Sequence, residues 1–110
     1  MTKQDVISYC LSFMGVYEDA PFHDDTIAIR CKKNKRIFAL ILNRNGEVWV
    51  NVKASPEWID FWRNTYKSVV PGFHMNKSHW NSIILDKTIP KEQIELMIKE
   101  SYALVAEKTN

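Results

Sequence analysis

The stretch VVPGFHMNKSHWNSIILDKTIPKEQIELMIKESYALV, residues 69–105, contains a turn, a polar segment, a strand and a long helix. Its dipeptide Pro71-Gly72 is typical of a turn, because proline fixes φ and glycine tolerates a positive φ. The run from Trp80 to Leu85 predicts a strand. A helix is predicted from about Pro90 to Glu107, since proline at the first helical position removes no hydrogen bond. This third of the chain therefore predicts a turn, a strand and the last helix of the fold.

The N-terminal residues predict a first helix followed by an acidic loop. Thr2 and Asp5 have the spacing of an N-terminal capping box, and Gly15 is placed to end the helix. The following segment, VYEDAPFHDD at residues 16–25, has neither helix nor strand periodicity. Its acidic residues match neither an EF-hand nor a zinc motif. We therefore expect a solvated loop at residues 16–25 and not a cation site.

The middle of the chain predicts three antiparallel strands. Residues 26–31 alternate between apolar and polar positions, and residues 36–43 are apolar on both sides. Asn45-Gly46 is a strong hairpin signal, because both residues tolerate the positive φ of a type I′ turn. Beyond it, three valines alternate with Trp49, Asn51 and Lys53. The three segments predict a meander in which alternate residues face opposite sides of a sheet.

The motif Ser55-Pro56-Glu57 predicts the start of a second helix. It supplies an N-cap residue, a proline at the first helical position and an acid near the positive end of the helix dipole. Trp58, Phe61 and Trp62 fall on one side of this helix. Because aromatic residues dominate buried area, an aromatic stripe at helical spacing favours a core position. We therefore expect this stripe to be buried.

The order of elements predicts an α+β domain of two layers. Counting a short strand near Phe73, the order is α-β-β-β-α-β-β-α. Short turns between consecutive strands favour a mainly antiparallel sheet, with the terminal helices packed on one face. With 110 residues, of which 45% are hydrophobic and 25% charged, the chain can bury one core without metal or disulfides. We expect a single domain over residues 1–110.

The same motifs resemble those of the MmcQ/YjbR family of small bacterial proteins. The likeness rests on PGFHMNKSHWNSIILD and TIPKEQIELMIKESYALV, and it extends upstream to YCLSFMGVYEDAPF and VNVKASPE. The resemblance implies a two-layer α/β domain similar to secretion chaperones and to double-wing DNA-binding domains. By that structural analogy it also implies DNA binding. It supplies no catalytic residues.

The sequence lacks the residues that are characteristic of several classes of function. No apolar run approaches the roughly 20 residues of a membrane helix, and the N-terminus has no signal-peptide pattern, so we expect a cytoplasmic protein. Cys10 and Cys31 are isolated, which favours reduced core residues over a metal site. Neither a nucleophile with an identifiable base nor a glycine-rich phosphate loop is present. We expect a non-enzymatic domain that uses neither metal nor cofactor.

Charge is distributed unevenly along the chain, although the formal net charge is only +2. Residues 1–25 carry one lysine against five acidic residues, whereas residues 26–53 carry seven basic residues against Glu47 alone. Basic side chains interleaved with an aromatic ring suit phosphate contact and base stacking. The candidate nucleic-acid contacts are Arg30, Lys32, Lys33, Lys35, Arg36, Arg44, Trp49, Asn51 and Lys53. Weak binding of DNA or another nucleic acid is the first prediction, and a solvated, lysine-rich sheet is the alternative.

Two other functions stay open from the sequence. One is a chaperone-like module that binds a protein or peptide through exposed aromatic side chains. The other is a small anion or nucleotide pocket built from His74, Asn76, Lys77, His79, Trp80 and Asn81. The competing interpretation of that segment is structural, because polar side chains also satisfy the backbone groups of an irregular connection.

Overall fold

The computed structural model describes residues 1–108, which form a six-stranded sheet and three helices. The elements are α1 (Lys3–Leu11), β1 (Val16–Asp19), β2 (Ile27–Cys31), β3 (Ile37–Arg44), β4 (Glu47–Lys53), α2 (Pro56–Thr65), β5 (Val69–Pro71), β6 (Trp80–Ile84) and α3 (Lys91–Ala106). Hydrogen bonds order the strands β1-β2-β3-β4-β6-β5, and every neighbouring pair is antiparallel. The predicted α+β class with its antiparallel sheet is confirmed.

All three helices pack on the same face of the sheet. The buried side chains of that face are Ile29, Ala39, Ile41, Val50, Val52 and Ile83, and they form one core with the inner sides of the helices. Near the sheet edge, the ring of Phe13 stacks on that of Tyr102 at 4.6 Å between centroids, which ties the end of α1 to α3. The predicted packing of the terminal helices on one face is confirmed, and α2 joins them there.

Local signals in the sequence set where the helices begin. Thr2 Oγ1 accepts from the Asp5 N–H at 3.1 Å, and Asp5 Oδ2 accepts from the Thr2 N–H at 2.9 Å, so the capping box is complete. Pro90 occupies the N-cap position of α3. At the other end of α1 the expectation needs correction. The helix stops at Leu11, and Gly15, at φ 69°, instead makes the turn into β1.

The prediction of a loop over residues 16–25 is wrong for its first four residues. Val16–Asp19 forms the edge strand β1, with Val16 opposite Cys31 and Asp19 opposite Ala28. Four residues are too few to show a period of two, and acidic residues are uncommon in strands. On an edge strand those acids have a physical role, because charged side chains discourage pairing with the sheet of another molecule. The strand expected near Phe73 is also displaced, since β5 ends at Pro71.

The prediction that the aromatic stripe of α2 is buried holds for only part of the helix. Trp62 is 4% exposed, whereas Trp58 is 49% and Phe61 47% exposed. Because α2 packs on β5 and β6 at the margin of the sheet, its inward side is the one that carries Ile59 and Trp62. The ring of Tyr66 stacks on Trp62 and extends that side. Two large aromatic side chains of α2 therefore remain on the surface.

Both cysteines are free and buried. Burial raises the pKa of the Cys10 thiol to about 12, and it also raises the pKa of Cys31. The thiolate is the reactive form, so neither side chain is a nucleophile at neutral pH. Across residues 1–108, no cluster of three His, Cys, Asp or Glu side chains is arranged to hold a metal ion. No helix in that range combines the length and the apolar character needed to cross a membrane.

Candidate nucleic-acid interface

The sheet face away from the helices is partly covered by the connection between β5 and β6, residues 72–79. Asn51 Nδ2 donates to the Phe73 carbonyl at 3.0 Å, and the Phe73 N–H donates to Ser82 Oγ at 2.8 Å. Ser82 Oγ donates in turn to Asn51 Oδ1. Asn51 and Ser82 are both 0% exposed. Asn51 is therefore not the solvent-facing contact residue that the sequence predicted, because the connection lies over it.

Arg44 and Trp49 also belong to this covered region. The Arg44 guanidinium lies 4.7 Å from the Trp49 ring centroid and 4.3 Å from that of Phe73. The Trp49 and Phe73 rings meet edge to face at 5.9 Å. Cation–π contacts of this kind hold an arginine in place, here against the connection. Arg44 and Trp49 thus stabilise the path of residues 72–79.

An open cleft of about 450 Å³ separates residues 72–79 from the loop that precedes β2. It is lined by Phe22, Asp24, Asp25, Thr26, Leu40, Leu42, Asn43, Arg44, Asn51, Phe73, His74 and Met75. Asp24 and Asp25 oppose the charge of Arg44 there. The cleft accordingly offers no net attraction for a polyanion.

A second cleft lies at the other end of the sheet, next to the turn between β2 and β3. We call it the basic cleft. It has a volume of about 340 Å³ and is lined by Arg30, Lys35, Arg36, Ile37, Lys53, Trp80, Val105 and Lys108. Antiparallel pairing places Lys53 of β4 opposite Trp80 of β6, which puts a basic side chain beside an aromatic ring. Five basic residues from different parts of the chain therefore line one cleft together with one indole.

Arg30 is held in place by bonds within the protein. Its Nε lies 2.8 Å from Asp19 Oδ2, and one of its terminal nitrogens donates to the Lys35 carbonyl at 2.8 Å. Lys35 has φ 61°, and the bond from Arg30 fixes this tight part of the turn. In the described chain, Arg30 is the only basic residue of the cleft that is paired with a carboxylate. Its role is to shape the cleft more than to supply charge.

The remaining charges of the basic cleft repel one another. Burial, followed by the charges on Lys108 and Arg36, lowers the pKa of Lys53 below its ordinary value. A lowered lysine pKa means that the environment of the side chain disfavours its protonated form. An anion bound between these side chains would offset the repulsion and favour the protonated form. The electrostatics of the cleft therefore suit a negatively charged ligand.

The other candidate lysines lie outside the basic cleft. Lys32 and Lys33 border a different hollow, which they share with Met14, Gly15, Cys31, Tyr102 and Ala106. Roughly seven steps of about 3.4 Å along β3 separate Ile37 from Arg44, so Arg44 lies at the opposite end of the strand. Of the nine residues predicted from the sequence, four line the basic cleft. They are Arg30, Lys35, Arg36 and Lys53.

Sequence reasoning did not connect Trp80 and Lys108 with the basic residues of β2 to β4. Trp80 reaches the basic cleft through the pairing of β6 with β4, and Lys108 follows the end of α3. In the sequence, Lys108 is visible only as a basic residue just beyond the last predicted helix, which does not point to a site. Arg30, Lys35 and Arg36, which line the same cleft, lie more than 70 residues earlier in the chain.

The polar segment at residues 74–81 does not line one pocket. His74 borders the open cleft and Trp80 borders the basic cleft. Lys77 and His79 are exposed, and Asn76 Oδ1 accepts from the Ser78 N–H at 2.9 Å within its own turn. The structure therefore separates the six residues of the candidate anion pocket. For Asn76 the geometry matches the interpretation in which polar side chains of this segment bond to backbone groups of the connection.

Arg63 of α2, which sequence reasoning missed, anchors the end of this segment. Its Nε donates to Asn81 Oδ1 at 2.6 Å, and one terminal nitrogen donates to the carbonyls of Lys77 and Trp80. Asn81 Nδ2 donates to the Ile59 carbonyl at 3.2 Å. Asn81 is thus a buried link between β6 and α2, and Arg63 holds Trp80 at the mouth of the basic cleft.

We expect Trp80→Ala to lower the free energy of unfolding by about 1–2 kcal/mol, because the ring is only half-buried. A fully buried tryptophan would cost about 3–5 kcal/mol. Urea unfolding followed by circular dichroism measures the difference. A loss in the higher range would place the ring in the core and remove it as a binding surface.

Comparison with known proteins accounts for nearly the whole chain. The family model YjbR matches residues 11–104. The Escherichia coli (strain K12) protein YjbR is 30% identical over 102 residues, covering 93% of this chain and 85% of that protein. The Bacillus subtilis (strain 168) protein YyaQ is 31% identical over 116 residues, covering 94% of this chain and 98% of that protein.

Solved structures agree with the sequence relatives. The crystal structure of the Deinococcus radiodurans protein DR2400, a DUF419 domain, superposes with a TM-score of 0.88 at 31% identity, covering 97% of this chain and 80% of that one. A crystal structure of a Pseudomonas syringae protein gives a TM-score of 0.85 at 25% identity, covering 96% of this chain and 99% of that one. The resemblance seen in the motifs is confirmed, and the chain belongs to the YjbR family.

Proposed function

We propose that the protein binds nucleic acid in the basic cleft, with backbone phosphates on Lys35, Arg36, Lys53 and Lys108 and a base on Trp80. The observation that carries the proposal is that these basic residues and one half-buried indole line the same cleft. Arg30, which is paired with Asp19, supports the turn that presents Lys35. The protein acts as a binding module and not as an enzyme.

The electrostatic part of this proposal rests on charges that have no carboxylate partner within residues 1–108. Lys35 and Arg36 are exposed, and Lys53 is half-buried among like charges that help to lower its pKa. Each phosphate that such a side chain neutralises releases condensed counterions from the nucleic acid. Binding in the basic cleft must therefore weaken as salt concentration rises.

The stacking part of the proposal rests on Trp80. A half-buried ring keeps part of its surface available to a base, and stacking contributes about 1–3 kcal/mol per base. In a duplex the base faces are already stacked on one another, whereas in a single strand they are free. We therefore expect single strands to bind more tightly than duplexes of the same length.

Neutralising two charges of the cleft should flatten the salt dependence of binding. We expect Lys35→Gln/Arg36→Gln to reduce the slope of log affinity against log salt by about 1.4 for a single strand and about 1.8 for duplex DNA. Fluorescence anisotropy of labelled DNA and RNA oligonucleotides, titrated between about 50 and 200 mM salt, measures the slope. The double variant should fold normally, because both side chains are exposed.

The matched control is Lys32→Gln/Lys33→Gln, which removes the same charge from the same turn but outside the basic cleft. Its slope should equal that of the parent protein. Equal flattening by both pairs would mean that only overall charge matters and would contradict a site in the cleft. Absence of binding at the lowest salt concentration would show that the protein does not bind nucleic acid.

A further inference from the structure

We propose that the groove between α2 and α3 binds the side chain of a lysine or arginine presented by a partner protein. The groove has a volume of about 250 Å³ and is lined by Trp58, Trp62, Leu96 and Glu100. None of these residues lines the basic cleft. The inference is therefore independent of nucleic-acid binding.

The walls of this groove are large apolar side chains that the fold leaves exposed. Trp58 and Leu96 are each 49% exposed, and Phe61 beside them is 47% exposed. The Phe61 ring packs edge to face on Trp58 at 5.0 Å and on Trp62 at 5.2 Å, so the aromatic side chains support one another. Contiguous exposed apolar surface of this kind is typical of an interaction site. The methylene stem of a lysine or arginine is suited to cover it.

Two buried polar atoms at the groove lack hydrogen-bond partners among residues 1–108. They are Trp62 Nε1 and Glu100 Oε1. The other oxygen of the carboxylate, Glu100 Oε2, accepts from Ser55 Oγ at 3.2 Å. Buried polar groups are nearly always paired, because leaving one unpaired costs free energy. The indole N–H calls for an acceptor and the carboxylate oxygen for a donor, and a peptide with a basic side chain carries both.

The charge of the groove selects a cation. Among the described residues that line it, only Glu100 is charged, and two of the others carry indole rings. The faces of tryptophan rings attract ammonium and guanidinium groups, and a carboxylate adds a charge-assisted hydrogen bond. A neutral apolar side chain would leave Glu100 Oε1 unpaired, and an acidic one would be repelled. A basic side chain supplies the donor that Glu100 Oε1 lacks, the positive charge that the carboxylate attracts, and an alkyl stem for the apolar walls.

The test uses two capped peptides, acetyl-Ala-Leu-Lys-Leu-Ala-amide and the same peptide with norleucine in place of lysine. Both present an alkyl chain of similar length, but only the first carries a charge. In two-dimensional NMR spectra the indole N–H signals of Trp58 and Trp62, assigned with Trp58→Phe and Trp62→Phe, report on the groove. We expect the lysine peptide to shift both signals, and the norleucine peptide to bind about tenfold more weakly.

The variant Glu100→Gln keeps the shape of the side chain and removes its charge. We expect it to weaken binding of the lysine peptide about tenfold and to leave the norleucine peptide unaffected. Glu92→Gln, an exposed acid on the same helix outside the groove, is the matched control and should change neither.

Three outcomes would overturn the inference. Equal affinity for the two peptides would make the groove an unselective apolar surface. Indole shifts that depend on protein concentration without peptide would make a second copy of the chain the occupant. No shift with either peptide at millimolar concentration would show that the groove binds no such side chain.

Discussion

Replacement of Gly72 by alanine should lower the free energy of unfolding by about 3 kcal/mol. Gly72 is buried where the chain leaves β5, and its N–H donates to the Trp80 carbonyl at 2.9 Å. A Cβ at this position would lie 2.8 Å from the Trp80 Cβ and 2.9 Å from the Trp80 oxygen. The oxygen is a backbone atom, so the clash is relieved only if β6 and the connection move apart.

Urea unfolding measures this loss, and Ser78→Ala, an exposed position in the same connection, should stay within about 0.5 kcal/mol of the parent. Because the clash displaces Trp80, Gly72→Ala should also weaken single-strand binding while leaving Lys35 and Arg36 in place. A loss of stability no larger than that of Ser78→Ala would mean that the connection adjusts freely.

Gly72 shows that a glycine can be required for a reason other than the one that its local sequence suggests. In the sequence, Pro71-Gly72 predicted a turn because glycine tolerates a positive φ. In the structure the glycines with positive φ are Gly15 and Gly46, at 69° and 79°. Gly72 is required for another reason, since no Cβ fits against Trp80. Nothing local in the sequence distinguishes a turn glycine from one that allows a close approach.

The parts of the fold that were predicted depend on neighbours in sequence. The capping box joins residues three apart, and the Asn45-Gly46 turn needs only the positive φ that both residues adopt, 54° and 79°. The path of residues 72–79 depends instead on Asn51, which bonds to Phe73, 22 residues away, and to Ser82, 31 residues away. Such pairings follow from strand order and register, which periodicity does not contain.

The sequence predicts the basic charge of the candidate site but not which basic residues come together there. The excess of basic residues in residues 26–53 is visible in the sequence, and the alternation along β4 separates Lys53 from the buried valines. Which charges meet is a matter of register. Lys35 and Arg36 turn toward the basic cleft while Lys32 and Lys33, in the same turn, border another hollow. The exposure of Trp58 was missed for a similar reason, because the position of α2 at the sheet margin decides which side of the helix is inward.

Replacement of Asn51 by leucine should lower the free energy of unfolding by about 2–3 kcal/mol, although the two side chains are similar in size. Leucine cannot accept from the Ser82 hydroxyl or donate to the Phe73 carbonyl, so a buried hydroxyl and a partly buried carbonyl each lose a partner. Urea unfolding measures the loss. Asn43→Leu, the same change at an exposed position of the neighbouring strand, should cost less than about 1 kcal/mol.

The double variant Asn51→Leu/Ser82→Ala separates this polar link from simple packing. If the two side chains act as one unit, the double variant should cost about 1 kcal/mol less than the sum of the single variants, because each single change already removes the Ser82–Asn51 hydrogen bond. Strict additivity would mean that Asn51 and Ser82 hold Phe73 independently. Unchanged stability of Asn51→Leu would mean that the Arg44, Trp49 and Phe73 contacts alone keep the connection on the sheet, and that the buried amide is dispensable for the fold.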